Sequence, residues 1–203
     1  MRYRMAHAVP LALVALVAGC GSPVTTAAKL GMRVVGNVVS DAETQKLAGQ
    51  LVGQPPSAAD QALGERVDTF QDVKSTRQWV TYPVKMDLLG SKRYVVGVAD
   101  SRIVAVEMVE KESGKINLAR RLIYLAKVKG KGPAECETAL GLGPPLLTVR
   151  SRNTGALTQL YDSRMVKELQ GTKWCILRYD NNGLCEKVDL VDVHEARGGN
   201  AAN

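Results

Sequence analysis

Few side chains in this 203-residue chain carry chemistry by type, and those that do are scattered. There are two histidines, His7 and His194, and four cysteines, Cys20, Cys136, Cys175 and Cys185. A structural metal site needs clustered ligands, and separated cysteines with remote histidines do not supply them. A Ser-His-Asp arrangement needs its histidine clamped in a pocket, but His194 lies in the polar tail VHEARGGNAAN, where chain ends fray. The acidic residues are spread along turns, with no framed pair of carboxylates. The glycine-rich turns lack the Lys-Ser/Thr of a phosphate loop. GLGPP, starting at Gly141, follows a helix pattern, whereas a phosphate loop precedes one. The residues thus predict no catalytic site, no metal, no cofactor and no small-molecule substrate.

Composition narrows the partners. Hydrophobic residues make up 45% and aromatics only 4%, so a core must be built mostly from Val, Leu, Ile and Ala. The net charge is +7, and Arg2 and Arg4 supply two of those charges. The rest are scattered, with no basic helix or aromatic-basic sheet motif, which argues against nucleic acid. A mild positive excess suits an anionic membrane surface or an acidic partner.

Residues 1–19 read as a targeting segment. Arg2 and Arg4 form a positive start, and VPLALVALVA (Val9 to Ala18) is apolar but too short to span a bilayer. Val17-Ala18-Gly19 then precedes Cys20. This resembles the bacterial lipoprotein signal, which is cut before its cysteine. The resemblance implies that Cys20 is the mature N-terminus, diacylated through sulfur and N-acylated. Several acyl chains anchor firmly where one is marginal. Gly21, rather than Asp, follows the cysteine, which by the enterobacterial sorting rule implies the periplasmic face of the outer membrane. Residues 20–39 are expected to be a lipidated tether, with MRVVGNVV left open between short helix and strand.

Beyond the tether the chain repeats itself. Gly53 to Gly64 reads GQPPSAADQALG and Gly130 to Gly141 reads GKGPAECETALG, 77 residues on, with five identical positions. Ser40 and Asn117 share that offset and each is a good N-cap; Ser40 with Glu43 makes a capping box. Helices are predicted after each cap. The first places Leu47, Ala48, Leu51 and Val52 at helical spacing, and the second places Leu118, Leu122, Leu125 and Ala126 on one face. Short second helices end at Gly64 and Gly141. Strands are predicted at 78–84, 93–99 and 103–109, then at 146–150, 156–161, 173–179 and 184–191. Asp100-Ser101 and Asp180-Asn181-Asn182-Gly183 are hairpin turns. The expected class is α+β, with two tandem helix-helix-antiparallel-sheet repeats at 40–112 and 113–193 and a disordered tail at 194–203.

That order, with the helix ending in Leu-Gly and the closing segment GTKWCILRYDNNGLCEKVDLV, resembles the SmpA/OmlA family. The fold occurs once in BamE-like outer-membrane lipoproteins and as a tandem pair in the β-lactamase inhibitor protein. The resemblance implies a protein-binding scaffold in the envelope, with outer-membrane protein assembly as one setting. The alternative it implies is a periplasmic inhibitor or ligand-capture module gripping its target with an open sheet face.

Strand alternation divides the residues between faces. Tyr94, Val96 and Val98, with Cys175, Leu177 and Tyr179, are the more uniformly apolar rows and are assigned to the helices. The other rows place Arg93, Trp174, Ile176 and Arg178 on the open face as candidate partner contacts, since exposed Trp and Arg are enriched at binding hot spots. Trp79 and Tyr82 are undecided between core and surface. With Cys20 taken by lipid, three cysteines remain in an oxidising compartment. A hairpin closing over Asn182-Gly183 puts Cys175 opposite Leu190 and Cys185 opposite Asp180, on different faces. Cys136, on the second helix, covers the row that contains Cys175. The expected disulfide is Cys136–Cys175, with Cys185 free.

Overall fold

The computed structural model describes residues 23–39, 41–85, 87, 91–110, 118–170 and 172–192. Cys20, the expected caps Ser40 and Asn117, and the residues from 193 on lie outside them. The expected tether is structured from Pro23 onward: α1 (Pro23–Val35) is a 13-residue helix and β1 (Asn37–Val39) a short strand. Proline at the first helical position supplies a preset φ where no backbone donor is needed.

The helix pairs are delimited by the residues that suit their ends. Helix α2 (Ala42–Leu51) is capped by Asp41, whose carboxylate accepts from the Thr44 N–H at 2.6 Å. The capping residue is therefore Asp41 where Ser40 was expected. Helices α3 (Pro56–Leu63) and α5 (Pro133–Leu140) both open on proline. They end at Gly64 (φ +94°) and Gly141 (φ +65°), a region that glycine enters without strain. Helix α4 (Leu118–Val128) precedes α5 as α2 precedes α3.

The strands are β2 (Asp68–Asp72), β3 (Gln78–Pro83), β4 (Lys92–Ala99), β5 (Arg102–Glu110), β6 (Leu147–Ser151), β7 (Leu157–Asp162), β8 (Thr172–Tyr179) and β9 (Cys185–Asp192). They form one nine-stranded antiparallel sheet in the order β1-β5-β4-β3-β2-β6-β7-β8-β9. Strand β2 was not expected, because DTFQD offers only Thr69 and Phe70 to an apolar pattern. It nevertheless joins the two ends of the sheet, pairing with β6 through Phe70↔Ser151, Gln71↔Arg150 and Asp72↔Val149. Its polar side chains serve the junction: Asp68 accepts from the Ser151 hydroxyl at 2.7 Å, and Asn153 donates to the Val67 carbonyl at 2.7 Å.

The sheet is covered on both sides. On one side α2 and α3 bury Leu51, Ala59 and Leu63 against Tyr94, Val96, Val98 and Ile103. On the same side α4 and α5 bury Tyr124, Val128, Cys136 and Leu140 against Cys175, Leu177 and Tyr179. The rows assigned to the helices are thus the rows the helices cover. The α4 face is rotated from expectation: Tyr124 and Val128 are buried, while Leu122 is 54% exposed. On the other side of the sheet lies α1. Ala28, Met32 and Val34 pack with Trp79, Val95, Val109, Leu147, Val149, Leu160, Ile176 and Val191, residues drawn from both ends of the sheet. Among the described residues no helix is long and apolar enough to cross a membrane.

Candidate functional site

The sheet face expected to be open is occupied by α1. Fit at this contact depends on the absence of side chains. A Cβ added at Gly31 would lie 1.8 Å from the Trp79 indole, and one at Gly97 would meet Ala28 at 3.4 Å. The helix can therefore approach the sheet closely, and Trp79 Nε1 donates to the Ala28 carbonyl at 3.2 Å. Trp79 is consequently core, and so is Tyr82 on the opposite face.

The four candidate partner contacts are redistributed by this cover. Ile176 is fully buried in the cluster that contains α1, and Trp174 packs against that cluster half-buried, with Lys173 Nζ 5.2 Å from its ring. Arg93 is half-buried and donates to the Lys92 carbonyl at 2.8 Å. Arg178 is engaged by Asp189, Nε to Oδ2 at 3.1 Å. Asp189 is buried and also receives Arg121 and Lys187, so cations at the β9 edge neutralise the carboxylate. The expectation of one open surface carrying all four residues is thereby corrected. The reason is that the segment read as a tether is a helix with a small-residue face.

On the helix side the structure brings three thiols into one cluster. Cys136, Cys175 and Cys185 are all buried and all unpaired. The expected Cys136–Cys175 bridge is not formed in this structure. Cys185, expected on the opposite face, lies on the same face as Cys175, and the cause is local. The terminal hairpin has a three-residue loop, with the Asp180 N–H bonded to the Leu184 carbonyl at 2.9 Å and Gly183 at φ +77°. A register shift between Arg178 and Tyr179 then absorbs one extra residue, so Cys185 stands opposite Tyr179 and not Asp180. Cys175 still faces Leu190, as expected. One bulge therefore turns Cys185 onto the face of Cys175.

Burial keeps these thiols protonated. It pushes the Cys185 thiol up to about 12, with Cys136 beside it adding to the rise. It also raises Cys136 and Cys175. A protonated buried thiol is a poor nucleophile, so the cluster is unreactive as it stands. Among the described residues no group of three or more His, Cys, Asp or Glu side chains is arranged to hold a metal ion.

Each helix pair is also tied to the sheet by a tyrosine. The Tyr82 hydroxyl donates to Asp60 Oδ1 at 2.8 Å, and Arg66 clamps the same carboxylate with two bonds of 2.7 Å. The Tyr161 hydroxyl lies 3.0 Å from Glu137 Oε1 and 2.6 Å from Gln159 Oε1, its one proton shared between the two acceptors. The Arg66 guanidinium holds the Asp60 carboxyl below its usual value, and Tyr82 assists against the opposing effect of burial. Burial raises the Tyr82, Tyr161 and Tyr179 hydroxyls. These networks fasten the helices to the sheet.

Comparison with protein-family models, with curated proteins and with solved structures returned no match.

Proposed function

We propose that the chain is a lipid-anchored scaffold lipoprotein at the periplasmic face of the outer membrane. Cys20 is its acylated N-terminus, and protein binding is its activity, with envelope maintenance or outer-membrane protein assembly as the setting. The body is one SmpA/OmlA-like helix-helix-sheet unit made twice, the two copies sharing a sheet through β2 and β6. The observation that carries the reading is the Val-Ala-Gly-Cys box placed three residues before α1 begins at Pro23. Three residues reach at most about 10 Å. A lipid on Cys20 would then hold the folded body, by its own sheet-packed helix, close against the bilayer. The inhibitor or capture reading draws no support from a sheet face that α1 fills.

A partner would meet the outer surface of the helices. Helix α4 offers Leu122 and Ile123, 54% and 59% exposed, where the positions 77 residues earlier on α2 carry exposed Gln45 and Lys46. Adjacent exposed aliphatics on one half alone suit a protein contact. The test is a pull-down from detergent-solubilised envelopes with wild type and Cys20→Ala. Envelope proteins captured by wild type and lost with Cys20→Ala support the scaffold. Equal capture of a soluble protein by both forms contradicts it.

A further inference from the structure

We propose that Cys136 and Cys185 are the pair that forms a disulfide, stapling the start of α5 to the start of β9, with Cys175 left as a lone buried thiol. The oxidant depends on the export proposed above; the pairing does not.

Three observations select the pair. First, the two residues meet at one backbone oxygen. The Cys185 N–H donates to the Lys131 carbonyl at 2.9 Å, and Cys136 Sγ lies 3.6 Å from the same oxygen. The Gly130 N–H returns a bond to the Cys185 carbonyl at 2.9 Å, so the α4–α5 turn is fixed to β9 at this point. Second, Cys175 is at the wrong end of its strand. Cys185 stands opposite Tyr179, and Cys175 is four residues further along β8, about 13 Å away. A bridge needs Cα atoms within about 7 Å. The Cys136 thiol makes its side-chain contacts at that end, with Tyr179 and Cys185.

Third, the other half of the molecule has the same junction without sulfur. There the Gly53 N–H donates to the Ile103 carbonyl at 2.8 Å and the Ile103 N–H to the Gln54 carbonyl at 2.8 Å. Ala59, three residues after the helix-opening Pro56, is buried as completely as Cys136, three residues after Pro133. Ile103 and Ala59 belong to one core cluster, as do Cys185 and Cys136. Two apolar residues that close the junction in one half are thus two thiols in the other.

The reaction balances simply. Each thiol gives up its proton, one S–S bond forms, and two electrons pass to the disulfide of a protein dithiol oxidase through a mixed disulfide. That oxidase disulfide leaves as two thiols. Because both thiols are buried and protonated once packed, oxidation belongs to folding, before α5 seats on the sheet.

The experiment refolds reduced full-length chain carrying Cys20→Ser in an oxidised/reduced glutathione buffer. Free thiols are alkylated under denaturing conditions and the links mapped by mass spectrometry. The expected result is a peptide pair joining Cys136 to Cys185, with Cys175 alkylated. A link from Cys175 to either partner, or three alkylated cysteines, overturns the proposal. A second measurement guards against misfolding. Dithiothreitol should lower the Tm of wild type and Cys175→Ala by about 10 °C. It should leave Cys136→Ala, which carries the residue found at position 59, unmoved. Equal responses from Cys136→Ala and wild type also overturn it. Mapping the chain from cell envelopes separates the two readings. A link made on refolding but absent in cells leaves the pairing standing and counts against export.

Discussion

The two halves of this molecule solve one packing problem with different residues. In each, a helix pair closes on a four-strand meander. A glycine with positive φ (Gly53 or Gly130) turns the chain, and the last strand of the meander bonds to that turn. In the N-terminal half Ala59, Tyr94 and Ile103 line the closure, and nothing more is needed. In the C-terminal half Cys136 and Cys185 do so, with Cys175 further along the same core, and the outer face of the first helix shows Leu122 and Ile123 instead of Gln45 and Lys46. The common features are those that backbone geometry demands. The differences collect at the turn-to-strand junction and on the outer face of the first helix. Helix α1 belongs to neither half, because its contacts run across β3 to β7 and it fastens both ends of the sheet.

Perturbing one half at a time sharpens this contrast. The largest expected effect is loss of the Cys136–Cys185 staple. Closing a loop of about 50 residues stabilises by ~4 kcal/mol, and urea unfolding with and without reductant should show a difference of that order. Next is Gly31→Leu, which sets a side chain into the Trp79 ring. It should cost about 3 kcal/mol, and tryptophan emission should shift to the red as α1 lifts from both halves together. Smaller, at about 1 kcal/mol each, are Tyr82→Phe and Tyr161→Phe, which remove one helix-to-sheet hydrogen bond from opposite halves.

The N-terminal tie also has a pH dependence. Arg66 holds the Asp60 carboxyl below its ordinary 3.8, so the folded state binds that proton less readily than the unfolded one. Its contribution is complete above that value and is lost as the pH falls through the lower folded one. The Tm gap between wild type and Asp60→Asn should close over that interval, and a gap that persists in stronger acid would exclude the mechanism. The pair is partly solvated, so the effect is a few tenths of a kcal/mol. Smallest in stability is Ile123→Asp, expected within about 0.5 kcal/mol. It should abolish envelope co-purification, whereas Lys46→Asp at the corresponding place on α2 should not.

The elements bounded by strong local chemistry were legible in the sequence. The helix stops at Gly64 and Gly141 and the Asp100-Ser101 turn fix the ends of their segments whatever surrounds them, and the alternating rows of β4 and β8 identify the helix-covered face. Strand β2 escaped because its polar side chains answer to the junction, as Asp68 does to Ser151, and leave only Phe70 to the core. Helix α1 escaped because its buried face relies on Ala28 and Gly31, residues that read as linker until Trp79 and Gly97 are placed against them. Cys185 was assigned to the wrong face by one residue of bulge. A period of two carries no memory of such a shift, so the face of Cys185 inverted while Tyr179 kept the one assigned to it. The α4 stripe was misread for a related reason: Leu122 is apolar but exposed, and the pattern alone cannot separate a core side chain from a contact side chain.

The lipid-anchored scaffold rests most directly on Cys20. The decisive measurement is the mass of the N-terminal peptide of the chain isolated from cell envelopes. A peptide beginning at Cys20 and carrying a diacylglyceryl group with an N-acyl chain is the result the anchor requires. A peptide beginning upstream of Cys20, or one with a free thiol at Cys20, would contradict it.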